Sequence, residues 1–432
     1  MINIFKKTAS VFLACTLFML SCVTAFAETT ETDDIELIAP NAVAIESKTG
    51  QILFGKNADE KMYPASTTKV LTAYLTVKNI KDLNQVVEVK EDLSWVEPSS
   101  MFLQVGEKHT VRQLLEVLML KSANDVAVLL AQTVSGSVEE FAKLMNEEAT
   151  RIGCENSNFV NPNGLPDPNH YSTAHDMALI AKEALTSDII REIAKTKSVT
   201  IPANDVYPHE RTYVNTNKFL TGGAEISYNG EQIDSKYEIV EGLKTGYTSE
   251  AGRCLLSNAI LDGTEVIVGV FNSEGNNVYS DSRAIIDYSL DRYRTVTLLD
   301  SQNFVAKARV GGEESFVGYI EEDFVAVEDK ATALSDISKD YNYEVTINKS
   351  LKSVKKDDII GEVKIKKDGN KVASVPVLAI EDIKTSGING IILLGLTIAS
   401  TLLAANSFRR YLDERRKSRI LQQREDAFYQ RR

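Results

Sequence analysis

Apolar residues recur through the first half of the chain at the spacing of amphipathic helices. After Ser66, for example, Val70, Leu71, Tyr74 and Leu75 stand at intervals that bring them to one face of a helix. The same spacing in 111–134 predicts helical runs on either side of a polar break. The predicted helices cover residues 66–77, 111–120, 126–134, 138–151, 173–185 and 277–293.

Short apolar runs bounded by turn residues predict strands on both sides of these helices. Residues 42–45 and 51–54 flank a Lys-Thr-Gly turn and predict a hairpin, and runs at 254–259 and 265–271 predict two further strands. Strands that flank a helix-rich middle are typical of the α+β class. We therefore predict an α+β domain over residues 37–296.

The segment 297–383 has a different pattern. Its apolar residues alternate with polar ones in short runs, which are separated by turn pairs such as Gly311-Gly312. It offers no candidate catalytic group, and we predict a small all-β domain. The predicted strands lie at about 304–310, 343–347, 360–365 and 372–378.

Both ends of the chain carry membrane-targeting patterns. Residues 1–27 combine a basic start, an apolar run and a small-x-small cleavage site, as in a signal peptide, and residues 28–36 form an acidic linker. Residues 388–408 reach the length of a transmembrane helix, and the basic tail 409–432 favours a cytoplasmic end. We expect an exported protein anchored on the extracytoplasmic face of the membrane. The alternatives are a retained N-terminal helix and a C-terminal helix lying on the membrane surface.

The charge and composition of the chain limit which nucleic acids, metal ions or cofactors it can bind. The formal net charge is −13, and because the two ends carry +2 and +5, the body between them carries −20. Such a body would repel nucleic-acid phosphates, so we expect no nucleic-acid partner. The four His residues lack metal-ligand spacing, so we predict neither a metal nor a cofactor. Cys154 and Cys254, the cysteines that remain after signal cleavage, are expected as buried thiols.

Three short motifs in the first domain carry candidate chemistry. They are an S-x-x-K at 66–69, an S-x-N at 122–124 and a K-T-G at 244–246. Order and context distinguish this set from chance matches, because the first motif opens an apolar helix and the third follows both others and leads into strands. The chance matches lie at residues 353–356, 301–303 and 48–50.

The S-x-x-K spacing suits nucleophilic catalysis. A serine hydroxyl needs a base to take its proton, and positions three apart share one helix face, so Lys69 can reach Ser66. A lysine acts as a base only when neutral. Burial and a nearby positive charge, which Lys244 would supply, both favour the neutral form.

The other two motifs suit proton transfer and substrate binding. Ser122 could relay a proton between Lys69 and the leaving group, and the Asn124 amide could hold a peptide carbonyl. A strand that carries Lys244, Thr245 and Gly246 could pair with an extended substrate. Its lysine and threonine side chains would bind a carboxylate, and its glycine would allow close approach.

Together these motifs resemble those of the serine-type D-alanyl-D-alanine carboxypeptidases, the low-molecular-mass penicillin-binding proteins. The resemblance covers the whole first domain and implies the penicillin-binding transpeptidase and β-lactamase-like fold, an antiparallel sheet with helices. The β-rich domain and the C-terminal anchor fit that family's layout less specifically. The segments that carry the resemblance are 63–69, 122–127, 161–165, 170–174 and 241–248.

The resemblance also implies a reaction. Ser66 would attack the carbonyl between the last two D-alanines of a peptidoglycan stem peptide, D-alanine would leave, and water would release the acyl-enzyme. Lys69 would be the general base and Ser122 the proton relay. Asn124, Lys244, Thr245 and Gly246 would bind the substrate, and the backbone N–H groups of Ser66 and Tyr247 would form the oxyanion hole. β-Lactam antibiotics would acylate the same serine and act as inhibitors.

Three alternatives remain. A D,D-endopeptidase would use the same chemistry on peptidoglycan crosslinks and differ only in substrate. A β-lactamase would share the motifs, but segment 156–170 offers only Asp167 as an acid that could activate the deacylating water. An inactive wall-binding protein would keep the fold but form no penicillin adduct.

Overall fold

The computed structural model describes residues 35–96, 98–310, 313–347 and 353–384. These residues divide into two compact units, with the boundary between Thr295 and Val296. The predicted signal peptide, the predicted transmembrane helix and the basic tail lie outside the described residues. Within the described ranges, no helix combines the length and apolar character that crossing a membrane requires.

The first unit is built on a five-stranded antiparallel sheet, whose strands lie in the order Ile52–Lys56, Asn41–Glu46, Thr264–Ser273, Gly252–Leu261 and Val240–Thr248. All six residues of its strand Asn41–Glu46 are buried, so both faces of the sheet are covered there. Val240–Thr248 is an edge strand, which leaves one side of its backbone without a strand partner in the sheet. The strands are β1 (Asn41–Glu46), β2 (Ile52–Lys56), β3 (Val86–Glu88), β4 (Lys108–Thr110), β5 (Ser198–Ile201), β6 (Arg211–Val214), β7 (Glu225–Tyr228), β8 (Glu231–Asp234), β9 (Val240–Thr248), β10 (Gly252–Leu261) and β11 (Thr264–Ser273).

Helices complete the first unit and confirm the predicted α+β class. α5 packs on β1 and β11, and α8 packs on β10 and β11. Val70, Leu115 and Phe141, from three different helices, are fully buried in one continuous core. The helices are α1 (Lys69–Asn79), α2 (Val111–Leu120), α3 (Asn124–Ser135), α4 (Val138–Ile152), α5 (Ala174–Ala184), α6 (Asp188–Ala194), α7 (Lys218–Thr221) and α8 (Asn277–Arg292).

Local sequence signals determine where these helices begin and end. α2 begins with a capping box, in which the Thr110 hydroxyl accepts from the Gln113 N–H and the Gln113 side chain accepts from the Thr110 N–H. Ser137 caps α4 with a single hydrogen bond, which its hydroxyl accepts from the Glu140 N–H. α3 and α4 end at Gly136 and Gly153, whose positive φ angles of 86° and 99° suit glycine.

The second unit is mostly β, as predicted, but it also contains one short helix that the pattern did not predict. Ile360, Val363 and Val377 are fully buried in the core of this unit. Its five-stranded sheet has the order Ala306–Val310, Glu313–Tyr319, Asn370–Ala379, Ile359–Lys367 and Tyr341–Ile347. Its elements are β12 (Tyr293–Leu299), β13 (Ala306–Val310), β14 (Glu313–Tyr319), β15 (Phe324–Asp329), α9 (Leu334–Asp340), β16 (Tyr341–Ile347), β17 (Ser353–Val354), β18 (Ile359–Lys367), β19 (Asn370–Ala379) and β20 (Ile383–Lys384).

Both cysteines of the first unit are free thiols. Cys254 is buried, and burial raises its pKa to about 12. Burial also raises the pKa of Cys154, which is half-buried. Both thiols therefore stay protonated near neutral pH. The sequence predicted two buried thiols, and this holds for Cys254, whereas Cys154 is only partly buried.

Candidate active site

Ser66 lies on a short 3-10 helix, Ala65–Thr68, which continues into α1. The Pro64 carbonyl accepts from the Thr67 hydroxyl at 2.6 Å and fixes the start of this turn. Ala65 has a φ of +48°, a left-handed conformation that is strained for a residue with a side chain. Strain of this kind persists where the surrounding structure enforces it, and it is common at functional sites.

Lys69 is completely buried beside Ser66. Its ammonium nitrogen Nζ lies 2.9 Å from Ser66 Oγ, 2.7 Å from Asn124 Oδ1 and 2.6 Å from the backbone oxygen of Asn163. The i, i+3 spacing in the sequence predicted the first of these contacts. Three oxygens therefore hold the amine at the hydroxyl of the candidate nucleophile.

The surroundings of Lys69 favour its neutral form. Burial lowers its pKa well below the usual value, and the positive charge of Lys244 lowers it further. Asp125 opposes both effects but is a smaller influence. Lys69 therefore loses its proton more readily than an exposed lysine does, which suits a general base for the Ser66 hydroxyl.

The S-x-N motif lies between α2 and α3. Ser122 has a φ of +66°, and none of the described residues hydrogen-bonds to its buried hydroxyl. Asn124 begins α3 and directs its amide oxygen toward Lys69. The motif thus contributes one hydroxyl without a partner and one amide that orients the base.

Asp125, which the sequence analysis missed, fixes the loop beside this motif. Its buried carboxylate accepts from the Ser100 hydroxyl at 2.7 Å, from Met101 N at 2.9 Å and from Leu103 N at 3.0 Å. Each of these hydrogen bonds to a charged acceptor stabilises the loop by about 1.5–3 kcal/mol. Nothing but its position next to Asn124 could have indicated this role.

The K-T-G motif occupies the edge strand β9. Lys244 is buried, and burial lowers its pKa to about 7. Thr245 Oγ1 lies 2.6 Å from Thr216 Oγ1, a neighbour that the sequence did not indicate. Tyr247 is exposed, and only its backbone N–H was assigned a role.

Gly246 lies directly against the nucleophile turn. A Cβ atom at this position would stand 3.0 Å from Ser66 N and 3.1 Å from the Ala65 Cβ. Real Cβ atoms are almost never closer than this. The glycine therefore allows the strand and the backbone amide of Ser66 to face one reacting centre.

The segment 156–170 supplies structural support, and its one acid, Asp167, is used in a local turn. Asn163 provides the carbonyl that binds Lys69. His170 is buried, accepts from Val160 N through Nδ1 and lies 3.0 Å from Thr68 Oγ1 through Nε2. Burial lowers the pKa of His170 to about 4, so the ring is neutral at pH 7. The Asp167 carboxylate caps the local turn by accepting from Asn169 N.

Gly164 packs directly against the backbone of Ala65, next to the nucleophile. Replacing this glycine tests whether the segment 156–170 supports the position of Ser66. A Cβ at Gly164 would stand 1.8 Å from the Ala65 carbonyl oxygen, and the φ of +81° adds strain for any other residue. We expect Gly164→Ala to destabilise the unit by about 2–5 kcal/mol and to slow acylation of Ser66. Thermal unfolding and the rate of penicillin labelling measure both effects.

Gly263→Ala is the matched control for this substitution. Gly263 has a similar φ of +83°, but no atom lies within 4 Å of a Cβ built there. We expect only the left-handed penalty of about 1 kcal/mol and unchanged acylation. Equal losses in both variants would contradict a specific role for the contact between Gly164 and Ala65.

The three motifs chosen from the sequence therefore lie in one unit and converge. Ser66, Lys69 and Asn124 are joined by hydrogen bonds, Lys244 is close enough to perturb the pKa of Lys69, and Gly246 abuts the Ser66 amide. The chance matches lie elsewhere. Residues 301–303 and 353–356 belong to the second unit, and 48–50 form the turn between β1 and β2.

Two family profiles match this chain. The profile described as D-alanyl-D-alanine carboxypeptidase matches residues 27–275. A second profile, described as the C-terminal domain of penicillin-binding protein 5, matches residues 293–385. The two matches fall on the two units of the fold.

Individual proteins show the same similarity. The D-alanyl-D-alanine carboxypeptidase DacF of Bacillus subtilis is 31% identical over 391 residues, which cover 88% of this chain and 96% of that protein. The crystal structure of penicillin-binding protein 5 from Haemophilus influenzae matches with a TM-score of 0.62 and 24% identity, over 82% of this chain and 99% of that one. The Streptomyces K15 DD-transpeptidase matches with a TM-score of 0.54 and 30% identity, over 60% and 99%.

Proposed function

The chain belongs to the D-alanyl-D-alanine carboxypeptidase family of serine hydrolases, and from this premise we propose that it removes the terminal D-alanine from peptidoglycan stem peptides. One observation carries the proposal above all others. The buried, pKa-lowered Lys69 amine lies 2.9 Å from the Ser66 hydroxyl, with Asn124 and Asn163 holding it there. This geometry fits a serine nucleophile activated by a lysine base.

Acylation begins when Ser66 Oγ attacks the carbonyl carbon between the two D-alanines and gives its proton to Lys69. The oxygen of that carbonyl becomes an oxyanion. The backbone N–H groups of Ser66 and Tyr247 are the donors that we assign to it, and removing one such donor typically costs about 2.7–4 kcal/mol. The close contact between Gly246 and Ser66 N supports this assignment.

Collapse of the tetrahedral intermediate breaks the peptide bond. The leaving nitrogen takes a proton, which Lys69 gives up through the Ser122 hydroxyl, and D-alanine departs. The Ser122 hydroxyl, buried and without a partner among the described residues, is suited to such a relay. Water then attacks the acyl carbon while Lys69 accepts one of its protons. The bond between that carbon and Ser66 Oγ breaks, and Lys69 returns the proton to Ser66 Oγ, which restores the serine hydroxyl and releases the shortened peptide.

The edge strand supports binding of an extended substrate. Because β9 lacks a strand neighbour on one side in its sheet, a peptide can add to it by backbone hydrogen bonds. We assign the Asn124 amide to bind a carbonyl group of the substrate. Lys244 and Thr245 are assigned to bind the terminal carboxylate of the substrate. β-Lactams would enter the same site and acylate Ser66.

The positions of the carboxylates around Ser66 and Lys69 lead us to expect that a penicillin adduct is released slowly. Within the part of the chain that the structure describes, no carboxylate hydrogen-bonds to Ser66 or Lys69. Asp125, the acid that influences Lys69, already accepts four backbone or hydroxyl donors. No carboxylate among the described residues therefore contacts the Ser66 and Lys69 pair, where a β-lactamase would need one to activate water, and we propose a carboxypeptidase that penicillin inhibits.

The cellular location is a further part of the proposal. The signal-like residues 1–27, the apolar segment 388–408 and the basic tail 409–432 support export and a C-terminal membrane anchor. An extracytoplasmic location would bring the enzyme to its peptidoglycan substrate. Accessibility of the first unit to protease added outside intact cells tests this location, and complete protection would contradict it.

Release of D-alanine from a Lys-D-Ala-D-Ala peptide tests the activity. We expect the full chain to release one D-alanine per peptide and to be inhibited by penicillin at one covalent adduct per molecule. A chain that takes penicillin but releases no D-alanine would contradict the carboxypeptidase. Cleavage of a crosslinked peptidoglycan dimer in its place would identify a D,D-endopeptidase.

A further inference from the structure

A cavity of about 400 Å³ opens where β9 ends and β10 begins, beyond the K-T-G motif. The roles assigned above use only one group of its lining, the backbone N–H of Tyr247. The lining contains one cation and one anion, together with an aromatic ring and two hydroxyls. The side chains that carry the argument are Tyr247, Ser249, Arg253, Ser273 and Glu274.

Three of these side chains lie in one row across the sheet. Arg253 pairs with Tyr247 on β9 and with Ser273 on β11, so all three point to the same face. The Arg253 guanidinium lies 4.7 Å from the centre of the Tyr247 ring. Ser273 Oγ is buried and has no hydrogen-bond partner among the described residues. A buried hydroxyl without a partner favours a polar occupant of the cavity over an apolar one.

The two charges of the cavity, Arg253 and Glu274, are not neutralised by neighbours. Both side chains are exposed, and over the described ranges neither forms an ion pair with the other or with a third residue, whereas Arg191, for example, binds Glu265. A guanidinium can offer two parallel N–H donors to a carboxylate, and a carboxylate accepts from an ammonium. The cavity therefore suits a group that carries an ammonium and a carboxylate together, as the head of an amino acid does.

The contacts assigned to the substrate determine which part of it comes to this cavity. The terminal carboxylate is assigned to Thr245 and the carbonyl under attack to the N–H of Tyr247, two residues further along β9. The N-terminal part of the peptide therefore continues past Tyr247, beyond the end of the strand at Thr248. An extended chain advances about 3.3 Å per residue. The residue that precedes the two D-alanines then lies beside Ser249, which lines the cavity.

We propose that this cavity binds the side chain of the stem-peptide residue that precedes the two D-alanines, and that it selects a diamino acid whose side chain ends in both an ammonium and a carboxylate, as that of diaminopimelate does. Arg253 binds the carboxylate and Glu274 binds the ammonium. A lysine side chain, which ends in an ammonium alone, uses only Glu274. This inference rests on the proposed function, because that function supplies the stem peptide.

Three probes separate this recognition from the integrity of the active site. Two are peptides that end in D-Ala-D-Ala and differ only in the preceding residue, which is diaminopimelate in one and lysine in the other. The third is a fluorophosphonate, which labels an activated serine and carries no diamino acid side chain. A merely structural role for Arg253 would change all three reactions alike, whereas recognition of the side-chain carboxylate would change only the first.

We expect KM of the wild-type chain to be about 10-fold lower for the diaminopimelate peptide than for the lysine peptide, because a hydrogen bond between two charged groups is gained. Arg253→Gln should remove this difference without raising KM for the lysine peptide or slowing fluorophosphonate labelling. Glu274→Gln should raise KM for both peptides. Arg112→Gln, at a surface arginine paired with Glu116 and Glu192, is the control and should keep the preference.

Equal KM values for the two peptides in the wild type, or a preference that survives in Arg253→Gln, would overturn the proposal. Calorimetric titration of the Ser66→Ala chain with the two peptides keeps the test separate from the proposed activity, because it measures binding alone. If the wild type releases D-alanine from neither peptide, tighter binding of the diaminopimelate peptide that is lost on adding Arg253→Gln still supports the cavity. Equal or undetectable binding of the two peptides would reject it.

Discussion

Ser66→Ala is expected to abolish both release of D-alanine and covalent labelling by penicillin. The substitution removes the only atom that forms the acyl bond, and comparable losses of a nucleophilic serine reduce kcat on the order of 10⁶-fold. The fold should persist, because the one hydrogen bond of Ser66 Oγ among the described residues is that from Lys69 Nζ at 2.9 Å. Mass spectrometry after incubation with penicillin and an assay for free D-alanine measure the two losses.

Ser353→Ala provides the matched control, because residues 353–356 repeat the S-x-x-K pattern in the second unit. This variant should keep full activity and full labelling. Thermal unfolding of both variants should match that of the wild type to within about 1 kcal/mol. Penicillin labelling that survives in Ser66→Ala would contradict the assignment of the nucleophile.

Long amphipathic elements could be predicted from the sequence with small errors at their ends. The run 138–151 corresponds to Val138–Ile152 and the run 173–185 to Ala174–Ala184. In both cases an apolar face coincides with a polar N-cap, so two independent signals agree. Residues 66–77 are a partial exception, because the first turn is a 3-10 helix and the α-helix begins only at Lys69.

Short elements could not be predicted in the same way. The strands Ser198–Ile201 and Arg211–Val214 have four residues each, too few for alternation to stand out from chance. They exist because they pair with each other across an intervening loop. The seven-residue helix Leu334–Asp340 was missed for the same reason, since it is too short to show a repeating apolar stripe.

The motifs predicted which side chains meet, and the fold determines what holds them together. Spacing alone indicated that Lys69 reaches Ser66, but it could not indicate that a backbone carbonyl of Asn163 binds the same amine. Every residue has a backbone carbonyl, so the sequence does not show which one will bind a side chain. Thr216 is likewise an ordinary residue type, and only the tertiary fold brings its hydroxyl to Thr245 on the K-T-G strand.

Lys69→Met should reduce the rate of Ser66 acylation by about 10²–10⁴-fold, the usual loss when general-base catalysis is removed. Methionine nearly matches the length of the lysine stem, so the buried space remains filled. Lys78→Met on the same helix is the control, because Lys78 binds the buried Glu148, which keeps Arg151 as a partner, and its loss should leave acylation unchanged. Near-normal acylation of Lys69→Met would reject Lys69 as the base.

The pH dependence of acylation gives a second measure of the same base. Only neutral Lys69 can accept the proton, so the rate rises with pH through the pKa of Lys69, which burial and the charge of Lys244 hold below the usual lysine value. Lys244→Gln removes that charge, so the pKa of Lys69 rises and the acidic limb should move to higher pH. Fluorophosphonate labelling measures the limb without involving carboxylate binding, and an unmoved or lowered limb would contradict the electrostatic coupling between the two lysines.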